Sequence, residues 1–322
     1  MYKKHLIRSL FLVLIYITMA CETVSHKPTY SIQIQIEEAN LTQDEKTRAI
    51  ANIQNRLESA GAKDITITEQ EEQKVTFNFH GKIKPQKLRR SFAVSGKLEF
   101  FEVCNEHEIL YRYLSEIHGN QKGGDLLSEV TEDIKTVDDI LGIRVLGGYA
   151  GPVFATVSRE NKNIVIEKLL KKEPVSIHGL EQRVKFLLGK SNRENQHEIY
   201  AVYVSSENKA PIDGSYVIDA YAEESNYGDS YVVSIQKNKE GAKIWEKMTE
   251  KAHMNQGNIA VVVDNLVYSA PSVSVGKITG GMSQISSNLS KEQATTLAAV
   301  IRSGSIPKMK ILQESILKSY KQ

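Results

Sequence analysis

The apolar residues of this chain recur at two alternating spacings, and this feature constrains its fold more than any other. Isoleucines alternate with polar residues over 32–36, which predicts a half-buried strand because successive side chains of a strand point to opposite faces. Thr42 and Glu45 then form a capping box that begins a helix, and Gly61 ends this helix. Two further strands, a short helix and a fourth strand follow. The order βαββαβ predicts a ferredoxin-like subdomain over residues 30–104.

The C-terminal part of the chain repeats the two spacings. A strand leads into a helix, and residues 259–263 form a continuous apolar strand. Asp264 and Asn265 come next, and they predict a two-residue hairpin turn because both side chains tolerate a positive φ. A returning strand, a helix that begins at a capping box of Ser290 and Gln293, and a closing strand at 309–312 follow. This pattern predicts a second α+β subdomain over residues 193–318.

The segment between these two parts, residues 105–192, is mostly helical in its pattern and is punctuated by glycine and proline over 147–152. We interpret it as an insertion. The sequence therefore predicts an α+β protein in which two ferredoxin-like α/β-sandwich halves are joined by a mainly helical insertion.

The N-terminus has the charge order of an export signal. Residues 1–8 carry three cations and no acid, and residues 10–20 are an uninterrupted apolar run, too short for a stable membrane span. Cys21 follows Ala20 directly, as in a bacterial lipoprotein signal peptide, although Thr18 stands where leucine is usual. We therefore predict that residues 1–21 are a lipoprotein signal peptide ending at a lipidated Cys21. The alternatives are a leader cut by ordinary signal peptidase and an uncleaved anchor.

The net charge argues against a nucleic-acid-binding protein, and the cysteine count argues against a fold stabilised by disulfides. The formal net charge is +2, and removal of the three leader cations leaves −1, so no excess of basic residues attracts nucleic acid. Only Cys21 and Cys104 occur. If Cys21 is lipidated, no intramolecular disulfide holds the mature chain, and its stability must come from core burial.

Motifs for catalysis or cofactor binding are not found in the sequence. His107 and His197 are each followed by glutamate, like the start of a zinc-protease helix, but Tyr111 and Ala201 stand where the second histidine is required. The cluster at 104–108 is the other metal candidate, and a surface coincidence is the favoured reading. Neither a phosphate-binding GxxxxGK[ST] loop nor a GxSxG elbow occurs. We therefore expect no enzyme activity, no metal and no cofactor.

One long segment resembles a known family. Residues 259–287 read IAVVVDNLVYSAPSVSVGKITGGMSQISS, and this resembles the SecD segment with an apolar strand, an Asp-Gly hairpin, Ser-Ala-Pro, Thr-Gly-Gly and Ile-Ser-Gly-Asn. The residues at these positions are Asp264, Ser269, Ala270, Pro271, Thr279, Gly280, Gly281, Ile285, Ser286 and Asn288. Asn265 and Ser287 depart from the family by standing where glycine is usual. The resemblance runs in order over about 30–314 and is patchy in the middle.

The resemblance implies a function as well as a fold. SecD acts with SecF beside the Sec translocon, and its first periplasmic domain, with a base and a head, is proposed to hold emerging polypeptide. By analogy we expect a non-enzymatic binding module, anchored at Cys21 and facing the periplasm, whose partners are unfolded exported polypeptides and Sec translocon subunits. Without a transmembrane bundle we expect an accessory protein, not a motor. The motif residues are expected to serve backbone geometry.

Two other functions stay open on the sequence. An envelope lipoprotein could use the SecD fold for an unrelated protein interaction. A hydrolase or metal enzyme is disfavoured by the missing motifs.

Overall fold

The computed structural model describes residues 30–38, 41–70, 73–81, 83, 85–118, 136–146, 151–192, 194–226 and 228–316. The predicted signal peptide with Cys21 lies outside them. The helices are α1 (Gln43–Ala60), α2 (Pro85–Phe92), α3 (His107–His118), α4 (Val137–Leu141), α5 (Lys162–Val165, continued by a π-helical turn to Leu170), α6 (Lys239–Met254) and α7 (Lys291–Arg302). None of these described helices is long and apolar enough to cross a membrane.

Fifteen strands are present in the described residues. They are β1 (Tyr30–Ile36), β2 (Lys63–Glu69), β3 (Lys74–His80), β4 (Leu98–Glu102), β5 (Ile143–Val145), β6 (Ala155–Val157), β7 (Arg183–Ser191), β8 (His197–Val204), β9 (Ile212–Asp213), β10 (Val217–Glu224), β11 (Tyr231–Lys237), β12 (Ile259–Val263), β13 (Leu266–Ser269), β14 (Met282–Leu289) and β15 (Met309–Ile316). The chain divides into two compact units: the smaller contains β1, β2, β3 and β15, and the larger contains the other elements. The α+β class is confirmed.

The smaller unit is a four-stranded antiparallel sheet with the order β15-β1-β3-β2. Its strands β1 and β3 alternate as predicted, and their buried side chains are Ile32, Ile34, Ile36, Val75, Phe77 and Phe79. Tyr30 stacks on Phe79 with ring centroids 5.5 Å apart. One face of the sheet is therefore strongly apolar.

The strand pairing differs from the two predicted ferredoxin-like halves. In a βαββαβ unit the last strand joins the same sheet as the first, but β4 lies in the larger unit, and β15, predicted to close the C-terminal half, pairs with β1. Burial explains the exchange. Residues 98–101 are buried on both faces, which suits an inner strand, whereas 310 and 312–313 of β15 are exposed, which suits an edge.

The larger unit contains an eight-stranded sheet with the order β5-β6-β8-β7-β13-β12-β4-β9. Val103 forms a bridge with Val202, and the Cys104 N–H donates to the Ala201 carbonyl at 2.8 Å, so the end of β4 meets β8. The strands β8, β7, β13, β12 and β4 thus curl into a closed ring. The interior of this ring is apolar: it holds Phe101, Val103, Leu187, Tyr200, Val202, Val204, Ala260, Val262 and Val267.

The outer face of the ring is covered by two further cores. The alternate residues of β4 and β12, such as Phe100 and Val261, pack with the inward faces of α6 and α7 and with the three-stranded sheet β10-β11-β14. The alternate residues of β7 and β8, such as Phe186 and Ile199, pack with α3, α4 and α5. Both faces of the ring strands are buried, which explains the continuous apolar run at 259–263.

The segment 105–192 is only partly as predicted. It contributes α3, α4 and α5, but it also contributes β5, β6 and β7 to the eight-stranded sheet. Its strand β7 lies beside β13 in parallel register, with Leu188 opposite Leu266. Within the described residues this segment therefore combines helices with strands that belong to the larger unit's main sheet.

Candidate functional site

The predicted hairpin turn is present between β12 and β13. Asp264 and Asn265 have φ of 53° and 61°, the left-handed values that such a turn requires. Val263 pairs with Leu266 across it. Asn265 thus adopts the left-handed conformation without being glycine, and its Oδ1 accepts a hydrogen bond from Lys185 Nζ at 3.1 Å.

The Asp264 carboxylate binds the loop before β4. It accepts hydrogen bonds from the backbone N–H groups of Ser95 (2.8 Å), Gly96 (3.3 Å) and Lys97 (2.9 Å), and from Ser95 Oγ (2.5 Å). Four donors around one carboxylate form an anion nest that fixes the loop to the hairpin. Asp264 therefore has a structural role here beyond its turn conformation.

Arg56 binds the same loop from the other side and is 1% exposed. Its guanidinium donates to the carbonyls of Ser91 (2.9 Å), Val94 (2.5 Å), Ser95 (2.9 Å) and Gly304 (2.8 Å). Burial lowers the pKa of Arg56 to about 10, and Asp264 opposes this shift. Even so, the side chain stays charged at neutral pH.

Gly96 lies between these two groups and has no room for a side chain. Its φ is +80°, and a Cβ there would lie 2.6 Å from Val300 Cγ1 and 3.0 Å from Arg56 Nη2. The glycine thus permits the close approach of the loop to α7 and to the guanidinium.

The Ser-Ala-Pro segment ends β13 through its backbone. The Ala270 carbonyl accepts from Asn258 Nδ2 at 3.0 Å, and the Pro271 carbonyl accepts from the Ile259 N–H at 3.1 Å. Ser269 Oγ is buried and has no hydrogen-bond partner among the described residues. We find no chemical function for this hydroxyl in these contacts.

The Gly-Gly segment covers a buried lysine. Gly281 has a φ of +75°, and its carbonyl accepts from the Lys237 N–H at 3.2 Å and from Lys237 Nζ at 3.4 Å. A Cβ at Gly281 would lie 2.8 Å from the Ala242 Cβ. Gly280, also left-handed, offers its carbonyl to Gln236 Nε2 at 2.9 Å.

Lys237 is a lysine whose charged group lies inside the protein. It is 2% exposed, its Nζ donates to Ser283 Oγ at 2.6 Å, and the same atom lies 4.2 Å from the Trp245 ring centroid and 4.5 Å from that of Phe100. Burial lowers the pKa of Lys237 to about 7. The two rings and two oxygens compensate only part of the desolvation of an ammonium group.

The remaining motif residues have separate positions. Ile285 is fully buried in the core that contains α6 and α7, opposite Val233, while Ser286 and Asn288 are exposed on β14. Asn288 has a φ of 47°, and Thr279 is exposed. Asp264 to Pro271 thus belong to the eight-stranded sheet, and Gly280 to Asn288 belong to the three-stranded sheet and its approach. These contacts do not assemble the motif residues into one chemical site.

A cleft of about 440 Å³ lies beside the start of α3 and the end of α6. It is lined by residues that include Glu102, Asn105, Glu106, Glu181, Tyr203 and Lys251. Glu102 is paired with Lys251 at 2.6 Å. Cys104 is buried next to Tyr203, and burial raises the pKa of the thiol, so it is protonated and unreactive at neutral pH.

The metal candidate at 104–108 is not assembled. His107 packs edge-on against Phe154, and its Nδ1 lies 3.3 Å from the Leu146 carbonyl. Across the described part of the chain, no group of three or more histidine, cysteine or acidic side chains is placed to hold a metal ion.

The sequence analysis did not single out the two buried cations Arg56 and Lys237 as site residues, although the sequence contains a signal for each. Arg56 lies three residues after Ile53, on the apolar stripe of α1. Lys237 lies two residues after Ile235, on the buried face of β11. A charged residue in phase with a buried stripe was the signal in both cases.

Comparison with known proteins finds a family model that matches part of this chain and relatives that are similar to more of it. Residues 189–308 match the model of the SecDF P1 head subdomain. SecD of Rhodothermus marinus is 26% identical over 288 residues, covering 81% of this chain and 44% of that protein. SecD of Calditerrivibrio nitroreducens is 38% identical over 105 residues, covering 32% of this chain and 20% of that protein. The chain spans less than half the length of these relatives.

A solved structure extends the likeness to the fold. The structure described as a membrane component SecDF that enhances protein export has a TM-score of 0.52 and 19% identity, and the match covers 88% of this chain and 98% of that chain. At this identity the likeness concerns the fold alone. The sequence and fold matches together show that this chain resembles the periplasmic domain of SecD, with residues 189–308 matching the P1 head subdomain.

Proposed function

We propose that this chain is a periplasmic accessory of Sec-dependent protein export that binds unfolded polypeptide or Sec translocon subunits. The observation that carries the proposal is the match of residues 189–308 to the P1 head subdomain within a chain that is similar to SecD over most of its length. A relative of the same fold is described as enhancing protein export.

The chemistry of the larger unit favours binding over catalysis. The motif residues mostly meet backbone groups and side chains of their own unit, as Asp264 does at the loop before β4. The buried Cys104 thiol is held protonated, and His107 lies in a core. These groups suit a rigid framework that presents strand edges and clefts to a partner.

We further propose that lipidation at Cys21 holds this module at the membrane surface. Acyl chains stabilise membrane binding in proportion to the apolar surface that they bury. The anchor would keep the binding surfaces close to the site where exported chains emerge.

Binding of one client in two states tests the proposal. We expect weak binding of a chemically unfolded exported protein, with a Kd on the order of micromolar or weaker, because ordering a disordered chain costs conformational entropy. The folded form of the same client is the control. Equal binding to both forms would contradict a role in holding unfolded polypeptide.

Crosslinking in intact membranes distinguishes the proposal from its alternative. Recovery of Sec subunits or of exported chains with the protein supports an export function. Reproducible recovery of an unrelated envelope protein, with neither of these, would favour an envelope lipoprotein that uses the SecD fold for another interaction.

A further inference from the structure

We propose that the outer edge of β10 binds an extended polypeptide segment as an added strand. This inference rests on the proposed function and assigns a site to it. It starts from the three-stranded sheet, in which β10 is an end strand that pairs with β11 on one side only within the described chain.

The backbone of β10 is oriented for such pairing. Ala220 lies opposite Ile235 of β11, yet its N–H donates to the Asp219 carboxylate at 2.8 Å. In an antiparallel pair alternate residues direct their N–H and C=O groups away from the neighbouring strand, so Ala220 and Ala222 face the outer edge. The Asp219 carboxylate therefore accepts the hydrogen bond of the outward Ala220 N–H when no partner strand is bound. Edge strands commonly use charged side chains in this way to prevent unwanted pairing.

Two large apolar side chains of β10 are accessible. Ile218 is 62% exposed and Tyr221 is 41% exposed. A groove of about 280 Å³ runs along the strand, and its lining includes Ala60, Ala220, Tyr221, Ala222, Thr296 and Ala299. The residues of α1 and α7 in this lining are mostly small.

The occupant that fits both features is an extended chain. A row of strand N–H and C=O groups is complementary to another extended backbone, and this recognition tolerates varied sequences. The groove is smaller than most small-molecule pockets, which measure about 300–1,000 Å³. It is suited to alternate apolar side chains of an added strand, while the other side chains of that strand face solvent.

A peptide that can pair with β10 in only one register tests whether its backbone forms hydrogen bonds with the edge of that strand. The probe is a fluorescent, unstructured peptide whose apolar and polar residues alternate, because sliding it by one residue would place polar groups in the groove. Two N-methylated forms carry methyl groups on alternate sets of residues. We expect one form to bind about tenfold or more weakly and the other to bind like the parent peptide. Equal binding of both forms would overturn the inference.

Variants of the protein test the location. Ala299→Leu fills the groove from α7 and should weaken binding of the parent peptide about tenfold or more. Ala51→Leu places the same side chain at an exposed position of α1 that does not line the groove, and it should bind normally. Ala222→Pro removes an outward N–H, which proline permits at a strand edge, and it should also weaken binding.

The outcomes separate this inference from the proposed function. If the unchanged protein does not bind the parent peptide, the polypeptide-binding function fails. If it binds and both Ala299→Leu and Ala222→Pro bind equally well, polypeptide binding stands and its assignment to β10 fails. Self-association that Ala222→Pro abolishes, without an effect of that variant on peptide binding, would instead assign the edge to a second copy of this chain.

Discussion

Arg56 and Lys237 are both almost fully buried cations, but their surroundings differ. Arg56 donates to four backbone carbonyls and lies in the field of Asp264, so its charge is compensated. Within the described residues, the Lys237 ammonium contacts two aromatic rings and two uncharged oxygens. The first residue is therefore a permanent cation, whereas the second titrates near neutral pH.

The lowered pKa of Lys237 predicts a pH-dependent stability. In the unfolded chain this amine has a pKa of 10.5, and in the folded chain about 7. Between these values the unfolded chain binds a proton that the folded chain does not, so the free energy of unfolding rises with pH, by up to about 1.4 kcal/mol per unit. Lys237→Met should remove this contribution and should be relatively most stabilising at pH 7 and below, and progressively less so as the pH rises toward 10.5. Urea unfolding followed by circular dichroism at pH 7, 8 and 9 measures the difference.

The control for this prediction is Lys239→Met, because Lys239 is exposed at the start of α6. Trp245 is the chain's one tryptophan and gives a second readout, since its emission should titrate near pH 7 in the unchanged protein. A constant difference in stability between the unchanged protein and Lys237→Met at all three pH values would contradict the prediction.

The hairpin between β12 and β13 contains two motif residues, Asp264 and Ser269, whose side chains have different contacts. Asp264 stabilises the hairpin in two ways: its backbone adopts the left-handed turn conformation, and its carboxylate binds the loop before β4. Ser269 contributes only through the pairing of its backbone with β12. The two side chains therefore differ in what their removal should do.

Asp264→Asn should destabilise the protein by about 1.5–3 kcal/mol. Asparagine keeps the left-handed turn, so the substitution tests the carboxylate that binds the N–H groups of Ser95 and Lys97. Ser269→Ala is the matched control in the same hairpin and should be neutral or slightly stabilising, because it removes a buried hydroxyl without a partner among the described residues. Denaturant midpoints measure both. Loss of polypeptide binding in a folded Ser269→Ala variant would instead indicate a chemical function for the hydroxyl.

At the scale of the whole molecule, the proposed lipid anchor determines where the binding module works. Cys21→Ser should release the protein from membranes or leave an unprocessed precursor, because a serine cannot receive the thioether-linked lipid. Fractionation of cells and the mobility of the product on a denaturing gel measure this. Cys104→Ser is the control, since it retains Cys21. Normal processing and membrane retention of Cys21→Ser would contradict the lipoprotein prediction.

The features that could be predicted from the sequence depend on residues close together in the chain. The capping boxes at Thr42 and Ser290 and the turn at Asp264 and Asn265 are present as predicted. Each involves hydrogen bonds or backbone angles within a few residues, so the local sequence was sufficient. The α+β class followed from the same local periodicities.

The pairing of distant segments was decided only by the tertiary structure. Periodicity predicted a strand from residue 98 and another at 309–312 but could not tell which sheet each would join, because several sheets can accept a strand of either pattern. The competition is settled by burial: β4 is covered on both faces, and β15 takes an edge beside β1. The contacts of Arg56 with residues 35 to 248 positions away, and the groove beside β10, arise in the same way from this packing.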